Sequence, residues 1–202
     1  MTEVERAIAA IEAGDLVVIP TDTVYGLGCT PHREKPLLVL SQLKGRPPEQ
    51  PIAVVAATVD WLFEHVPELR GRAGAVAREL LPGPYTLVLP NPARRFPWLT
   101  GSRPDTIGVR VPDLSGRGRD VLDGVGAVAA TSANRHGAQD PRRLDEVPRE
   151  ILAAVAAAVD GGELPGTPST VLDVTGPEPR VLREGAVPAA VALERVGAAL
   201  AQ

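Results

Sequence analysis

Short apolar runs alternate along the chain with segments in which apolar residues recur at helical spacing. Runs without polar alternation are typical of strands covered on both faces, and helices between such strands are typical of α/β folds. The pattern predicts helices over 4–13, 34–43, 61–63, 68–81, 117–123, 143–158 and 191–200, with Leu37, Leu38 and Leu40 inward in the second. It predicts strands over 16–19, 52–56, 85–89, 106–112, 126–130, 169–174 and 180–185. Because no repeat or linker divides these elements, we predict one α/β domain over residues 1–202.

The first predicted strand ends in an unusually polar turn. Residues 20–28 supply two hydroxyls, a carboxylate, a phenol and two glycines. Ligands of open α/β sheets bind where strands end, and glycine lets a ligand approach the backbone closely. The stretch therefore predicts either a ligand-binding turn or a tight strand-to-helix turn in which Asp22 and Thr23 cap the local backbone.

Hydroxyl pairs and cations recur at strand ends and loops. The hydroxyl pairs are Thr21/Thr23, Thr131/Ser132 and Ser169/Thr170, and the cations are Lys44, Arg46, Arg110 and Arg183. Such groups bind polyphosphate or carboxylate ligands through charge-assisted hydrogen bonds. Prolines place Lys44 and Arg46 on a rigid loop. Arg110 lies within a short strand, and its spacing leaves two orientations open, toward solvent or toward an anion. The long loop 90–105 is predicted to form a lid or rim.

Composition and missing motifs exclude several classes of protein. The net charge of −4 does not favour general nucleic-acid binding, although a local basic groove is compatible with it. One cysteine, Cys29, excludes an internal disulfide and fits a reducing cytoplasm. The P-loop, dinucleotide and Gly-x-Ser-x-Gly motifs are missing, as is zinc-ligand spacing. Without a signal peptide or a membrane-length apolar run, the chain is predicted to be cytoplasmic, with no membrane contact.

Seven short motifs follow one another in a distinctive order, at 20–27, 44–47, 82–86, 108–112, 131–134, 169–173 and 183–186. Together they resemble the YrdC/Sua5 family of L-threonylcarbamoyladenylate synthases, over about residues 3–200. The resemblance implies a twisted open mixed sheet with flanking helices and a concave, positively charged central cavity. It also implies the short, single-domain form of the family.

The resemblance further implies a reaction and its partners. L-Threonine, bicarbonate or CO2, and ATP would yield threonylcarbamoyl-AMP and pyrophosphate. A partner transferase would then move the threonylcarbamoyl group to adenosine 37 of tRNA. Mg2+ would accompany ATP, held mainly by phosphates and water rather than by protein ligands. A weak contact with tRNA or double-stranded RNA belongs to the same expectation.

Carried over motif by motif, the resemblance assigns residues to two substrates. Threonine is expected at Thr23, Arg110, the backbone at Ala130, and Ser169, with its carboxylate on Arg110. ATP is expected at Lys44, Arg46, Gln50, Thr106, Ser132, Asn134 and Arg183. Lys44 and Arg46 are the expected catalytic residues, because the reaction needs alignment and charge neutralisation more than a strong base. Asn134 is also expected to order the Ser132 loop. Asp22 either positions the substrate or a magnesium ion, or forms the local turn.

Several positions depart from the family pattern, among them Gln50 and Ile52 in place of an asparagine and a leucine, and two further departures leave alternatives open. Val55 stands where the family has a histidine that touches threonine, and His136 replaces a serine. The lost polar contact is worth roughly 1 kcal/mol. The alternatives are a paralogue that uses another amino acid or one that serves as an RNA-binding module. A carbamoyl-phosphate-using domain like that of hydrogenase-maturation proteins shares the implied fold, but the single cysteine argues against it.

Overall fold

The computed structural model describes residues 1–201 as strands and helices around one mixed sheet. The strands are β1 Val17–Pro20, β2 Tyr25–Cys29, β3 Ala53–Ala56, β4 Tyr85–Pro90, β5 Thr106–Arg110, β6 Ala127–Ser132, β7 Ala157–Ala158, β8 Thr170–Asp173 and β9 Arg180–Arg183. The helices are α1 Glu3–Ala13, α2 Glu34–Lys44, α3 Val59–His65, α4 Gly71–Leu80, α5 Gly116–Val125, α6 Arg149–Ala154 and α7 Ala189–Leu200. Within these residues the strand order is β7-β1-β2-β6-β3-β5-β4-β8-β9. The predicted mixed α/β sheet with flanking helices is confirmed.

Side chains of alternate strand residues point to opposite faces of the sheet, as the two-residue period of a strand requires. On β3, Val54 packs into one apolar cluster with residues of α2, α4, α6 and α7. Val55 packs into a second cluster with residues of α1 and α5. Helices α1 and α5 contact the sheet mainly at β1, β6 and β7. The part of this face formed by β3, β4, β5 and β8 is therefore available for a cavity.

Strand β2 was not predicted as a strand. Its five residues are all buried, and it pairs antiparallel with both β1 and β6. The alternative of a strand-to-helix turn is therefore wrong, because residues 21–24 connect two strands. Glycines at alternate positions conceal the strand from a propensity argument, yet they serve its packing. A Cβ at Gly28 would lie 3.3 Å from the Ala129 carbonyl oxygen on the neighbouring strand.

The predicted helix over 143–158 is wrong. The chain forms a 3₁₀ turn at Leu144–Glu146, then α6, then β7, which pairs parallel with β1. Pro148 caps α6, and its ring disfavours helical geometry at the preceding residue, so one continuous helix cannot form. Leu38 is also not inward, since 48% of its surface is exposed on the outer side of α2. Among the described residues, no helix is both long and apolar enough to cross a bilayer.

Candidate functional site

A cavity of about 370 Å3 lies on the α1/α5 face of the sheet, beside those helices. Its floor follows the strand period, with Thr106, Gly108 and Arg110 on β5 and Thr86 and Val88 on β4. The intervening residues of both strands belong to the core on the opposite face. Arg110 therefore points into a cavity, and the alternative in which it faces solvent is wrong.

Arg110 is the most deeply buried cation of the cavity wall, with 8% of its surface exposed. Its Nη2 donates to Asp22 and, at 2.7 Å, to Thr23 Oγ1. The other Asp22 carboxylate oxygen accepts the Asp113 backbone N–H at 3.1 Å. Arg110 Nε is buried and has no hydrogen-bond acceptor among residues 1–201. Since buried donors are normally satisfied, an anion bound in the cavity would supply the missing acceptor.

The charges around Arg110 favour a second negative group. Burial lowers the pKa of Arg110, Asp22 opposes this effect, and the nearby Arg183 adds to it. Burial also raises the pKa of Asp22, against the influence of Arg110 and the Asp113 N–H. The two guanidiniums thus repel each other, and within the described residues Arg110 has a carboxylate partner, Asp22, whereas Arg183 has none. A ligand carboxylate or phosphate between them would relieve that repulsion.

A hydroxyl pair lies beside Arg183 at the same end of the cavity. Ser169 Oγ lies 2.8 Å from Thr86 Oγ1, and Arg183 Nη2 donates to the Ser169 carbonyl oxygen at 2.8 Å. Ser169 and Arg183 were both predicted from the sequence, whereas Thr86 was not assigned to a site. The signal was present, because Thr86 alternates with buried residues of β4 and faces the same side as Val88.

The sequence predicts that Lys44 lies on a loop, and this is wrong, because Lys44 is the last residue of α2. Gly45, at φ +64°, ends the helix two residues before Pro47, the first proline of the segment that follows. Lys44 Nζ donates to the carbonyl oxygens of Ser132 and Asn134 and, at 2.9 Å, to Asn134 Oδ1. Lys44 is buried and does not line the cavity. Its ammonium therefore holds the turn that follows β6.

The turn after β6 is ordered by Asn134, as expected. Ser132 Oγ donates to Asn134 Oδ1 at 2.7 Å, and Asn134 Nδ2 donates to Asp140 Oδ1 at 3.0 Å. Ser132 and Asp140 line the cavity, whereas Asn134 lies behind them. Burial and, to a smaller extent, the nearby Arg46 lower the pKa of Lys44, Asp140 opposes them, and the resulting pKa is about 8. The protonation of Lys44 is thereby coupled to the shape of this turn.

Two more guanidiniums line the cavity near the start of β5. Arg46 Nη2 donates to the Pro51 carbonyl oxygen at 2.6 Å, and its buried Nε has no acceptor in the described chain. Burial lowers the pKa of Arg46. Arg103, on the predicted rim loop, donates from Nη2 to Asp173 Oδ2 at 3.1 Å. Sequence reasoning missed Arg103, because nothing in a loop of mixed composition indicates which side chain turns inward.

The structure thus brings most of the predicted site residues together. Seven line the cavity: Arg46, Thr106, Arg110, Ala130, Ser132, Ser169 and Arg183. Thr23 lies just behind Arg110, and Gln50 lines a separate cavity of about 300 Å3 between α2 and residues 97–102. Val55 lines the main cavity and pairs with Arg110 on β5, whereas the His136 side chain is exposed outside it.

The described residues do not provide a cage for a metal ion. Nowhere in residues 1–201 do three or more His, Cys, Asp or Glu side chains converge as ligands. Asp22 is engaged by Arg110, and Asp140 is the carboxylate that lines the cavity among the described residues. Any Mg2+ entering with a nucleotide would depend on phosphate and water oxygens.

Comparisons with known proteins agree with this geometry. A family model for the Sua5, YciO and YrdC proteins, described as "Telomere recombination", matches residues 9–185. The threonylcarbamoyl-AMP synthase of Pyrococcus abyssi is 33% identical over 187 residues, which cover 92% of this chain and 55% of that protein. A putative threonylcarbamoyl-AMP synthase of Mycobacterium tuberculosis is 34% identical over 185 residues, or 90% of this chain and 83% of that protein.

A solved structure shows the same architecture. The crystal structure of P. abyssi Sua5 complexed with L-threonine has a TM-score of 0.84 and 33% identity, covering 98% of this chain and 58% of that one. The chain therefore spans little more than half the length of the P. abyssi proteins that it matches. The family model includes every residue that lines the main cavity, from Thr21 to Arg183. The chain belongs to the Sua5/YciO/YrdC family.

Proposed function

We propose that this chain is a threonylcarbamoyl-AMP synthase, which converts L-threonine, bicarbonate or CO2, and ATP into threonylcarbamoyl-AMP and pyrophosphate. The observation that carries the proposal is buried Arg110, whose Nε has no acceptor within residues 1–201 and which lies at a cavity with three further guanidiniums. One relative is named as such a synthase, a second is named as a putative one, and one solved relative is a complex with L-threonine. An amino-acid carboxylate suits Arg110, and a polyphosphate suits the other cations.

The chemistry requires charge neutralisation more than proton transfer. The threonine amine adds to CO2 and loses a proton to form a carbamate. A carbamate oxygen then forms a bond to the α-phosphorus, while the bond from that phosphorus to the bridging oxygen breaks and pyrophosphate leaves. Because nucleophile and leaving group are both anionic, fixed guanidiniums around them lower the barrier by alignment and electrostatics.

The two substrates divide the cavity between them. Arg110 would pair with the threonine carboxylate, and Thr23, Ser169 and the Ala130 backbone would complete that pocket. ATP would contact Arg46, Thr106, Ser132 and Arg183, all of which line the cavity. Mg2+ bound to the phosphates would supply additional positive charge.

Three predicted nucleotide ligands take different positions in this proposal. Lys44 and Asn134 would position the Ser132 turn, since their polar groups bind one another rather than face the cavity. A direct ATP contact for Lys44, Asn134 or Gln50 remains a prediction. The same holds for the downstream transferase, the transfer to adenosine 37 of tRNA, direct contact with RNA and the cytoplasmic location.

Val55 makes the choice of amino acid a question for experiment. Its side chain is 4% exposed, lines the cavity and pairs with Arg110 in the parallel ladder. An apolar wall next to the carboxylate site provides no partner for a substrate hydroxyl. We therefore include a different β-branched amino acid as the second candidate substrate.

Mass spectrometry of the reaction mixture tests the proposal directly, because it identifies the amino acid and the nucleotide together. Purified protein with MgATP, bicarbonate and threonine is expected to form threonylcarbamoyl-AMP and to release pyrophosphate. Valine in place of threonine tests the second candidate. If no amino acid raises pyrophosphate release above background, the synthase proposal is wrong. RNA binding that weakens steeply with salt would then favour the RNA-binding alternative.

The pH dependence of kcat/KM for ATP should follow the protonation of Lys44. Below a pKa of about 8 its ammonium donates to three oxygens of the Ser132–Asn134 turn, and above it one of these bonds is lost. We expect kcat/KM for ATP to fall as the pH rises through about 8. Asp140 raises the pKa of Lys44, so Asp140→Asn should move this fall to lower pH. A pH–rate profile that is flat between pH 7 and 9.5 would contradict this role.

A further inference from the structure

We propose that Arg103 binds the terminal phosphates of ATP, and hence the departing pyrophosphate, at the end of the cavity opposite the amino-acid pocket. This inference rests on the proposed function and adds a phosphate-binding residue that the sequence motifs did not include. It follows from where the four guanidiniums of the cavity lie along the sheet.

The cationic residues occupy two ends of the cavity. Arg110 ends β5, and Arg183 lies near enough to lower its pKa. At the other end, Thr106 begins β5, and both its N–H and its hydroxyl donate to the Arg103 carbonyl oxygen at 3.0 Å. Four residue steps of about 3.3 Å separate Thr106 from Arg110, so the backbone at the two ends lies about 13 Å apart.

Arg46 approaches the same end as Arg103. It donates to the carbonyl oxygen of Pro51, two residues before β3 begins. Strand β3 runs parallel to β5, with Val54 paired to Val109. The starts of both strands therefore lie at one edge of the sheet. Arg46 and Arg103 reach the cavity from two different loops at that edge.

The reaction decides which part of ATP lies at this end. The α-phosphorus must approach the carbamate, which extends from an amino acid held at Arg110. Either the adenosine or the two outer phosphates then extend toward Thr106. Two guanidiniums at that end favour the outer phosphates, which carry most of the negative charge, over an uncharged nucleoside.

Asp173 holds Arg103 in place for this role without using up its donors. Asp173 is buried, and its Oδ1 is already engaged by the Thr175 hydroxyl and N–H. Oδ2 accepts one N–H of Arg103. An arginine has five N–H donors, so most remain for a phosphate. The Arg103 side chain is 42% exposed, which leaves it accessible to a ligand from the cavity.

The same loop contains a matched control. Arg94 also pairs with one aspartate, donating to Asp105 at 2.9 Å, but its side chain is 64% exposed and does not line the cavity. Arg94→Ala therefore removes an equal charge and a similar ion pair without touching the proposed phosphate site.

Calorimetric titration of wild type, Arg103→Ala, Arg103→Lys and Arg94→Ala with MgATP, magnesium pyrophosphate and AMP tests the inference. Arg103→Ala should raise the Kd for MgATP and pyrophosphate at least about tenfold, with AMP binding unchanged, because a charge-assisted contact to the outer phosphates is lost. Arg103→Lys should recover part of the loss, and Arg94→Ala should match wild type.

The outcomes separate the two proposals. If wild type binds MgATP and Arg103→Ala binds it equally well, the assignment of Arg103 is wrong and the synthase proposal stands. An equal loss of AMP and ATP binding in Arg103→Ala would also overturn the assignment, since it would indicate a general change in the cavity. If wild type binds no MgATP, the proposed function itself fails.

Discussion

Arg110→Ala is expected to lower kcat/KM for threonine by at least about a hundredfold, while MgATP binding changes much less. Truncating one partner of a buried, hydrogen-bonded charge pair between a protein and its ligand costs about 2–5 kcal/mol, and about 2.8 kcal/mol corresponds to a hundredfold. Arg110 is buried, and its Nε lacks an acceptor in the described residues, so the lost contact would be one that the ligand completes. Steady-state pyrophosphate release at varied threonine, with calorimetry for MgATP, measures both effects.

The Arg110 variant needs a control for stability. Alanine leaves Asp22 buried without its cation, which should destabilise the fold and further raise the pKa of that carboxyl. The double variant Arg110→Ala/Asp22→Asn should regain stability in urea denaturation and remain inactive with threonine. Full activity in that double variant would show that the carboxylate is bound elsewhere.

Lys44→Met and Arg46→Met are both expected to impair the enzyme, but for different reasons. Lys44→Met removes the donor to three buried oxygens of the turn after β6, and should lower the free energy of unfolding by about 3 kcal/mol and turnover together. Arg46→Met should fold nearly as wild type and raise KM for ATP by at least about tenfold, because it loses a cavity cation. Urea denaturation and ATP kinetics on both variants distinguish these outcomes.

Lys35→Met is the matched control on the same helix, since Lys35 is exposed and lies outside the cavity. It should behave as wild type in both assays. If Lys44→Met instead unfolds like wild type and loses ATP affinity as Arg46→Met does, Lys44 binds phosphate directly, as the sequence motif first suggested. The positioning role would then be wrong.

Much of the fold could be predicted because its signals are local. Apolar runs indicated strands such as β3, which contains Val54, and β8, which contains Leu172. Gly14 indicated the end of α1, where it forms a left-handed cap. Errors arose where a local pattern competed with a longer-range contact. Residues around Pro148 have helical periodicity, but Ala157 and Ala158 gain a place beside β1 that periodicity alone cannot indicate.

The residues of the candidate site divide in the same way, into those that local motifs identify and those whose position depends on long-range contacts. Ordered motifs were sufficient to identify Arg46, Arg110, Ser132 and Ser169, and all four line one cavity. Motifs could not distinguish a side chain that faces the cavity from one that supports it. Lys44 is the clearest case, because its direction depends on where α2 ends and on the carbonyl groups of a turn nearly ninety residues later.

Strand period and motif order are properties of the linear chain, so they were enough to predict the fold class, the family resemblance and the set of hydroxyls and cations available for binding. Which of these groups meet depends on the packing of distant segments. Arg110 faces a cavity rather than solvent because β3, β4 and β8 form the surrounding walls. Arg103 reaches that cavity because Asp173, seventy residues away along the chain, is buried at the same level of the sheet. Such contacts join distant segments, and no local pattern contains them.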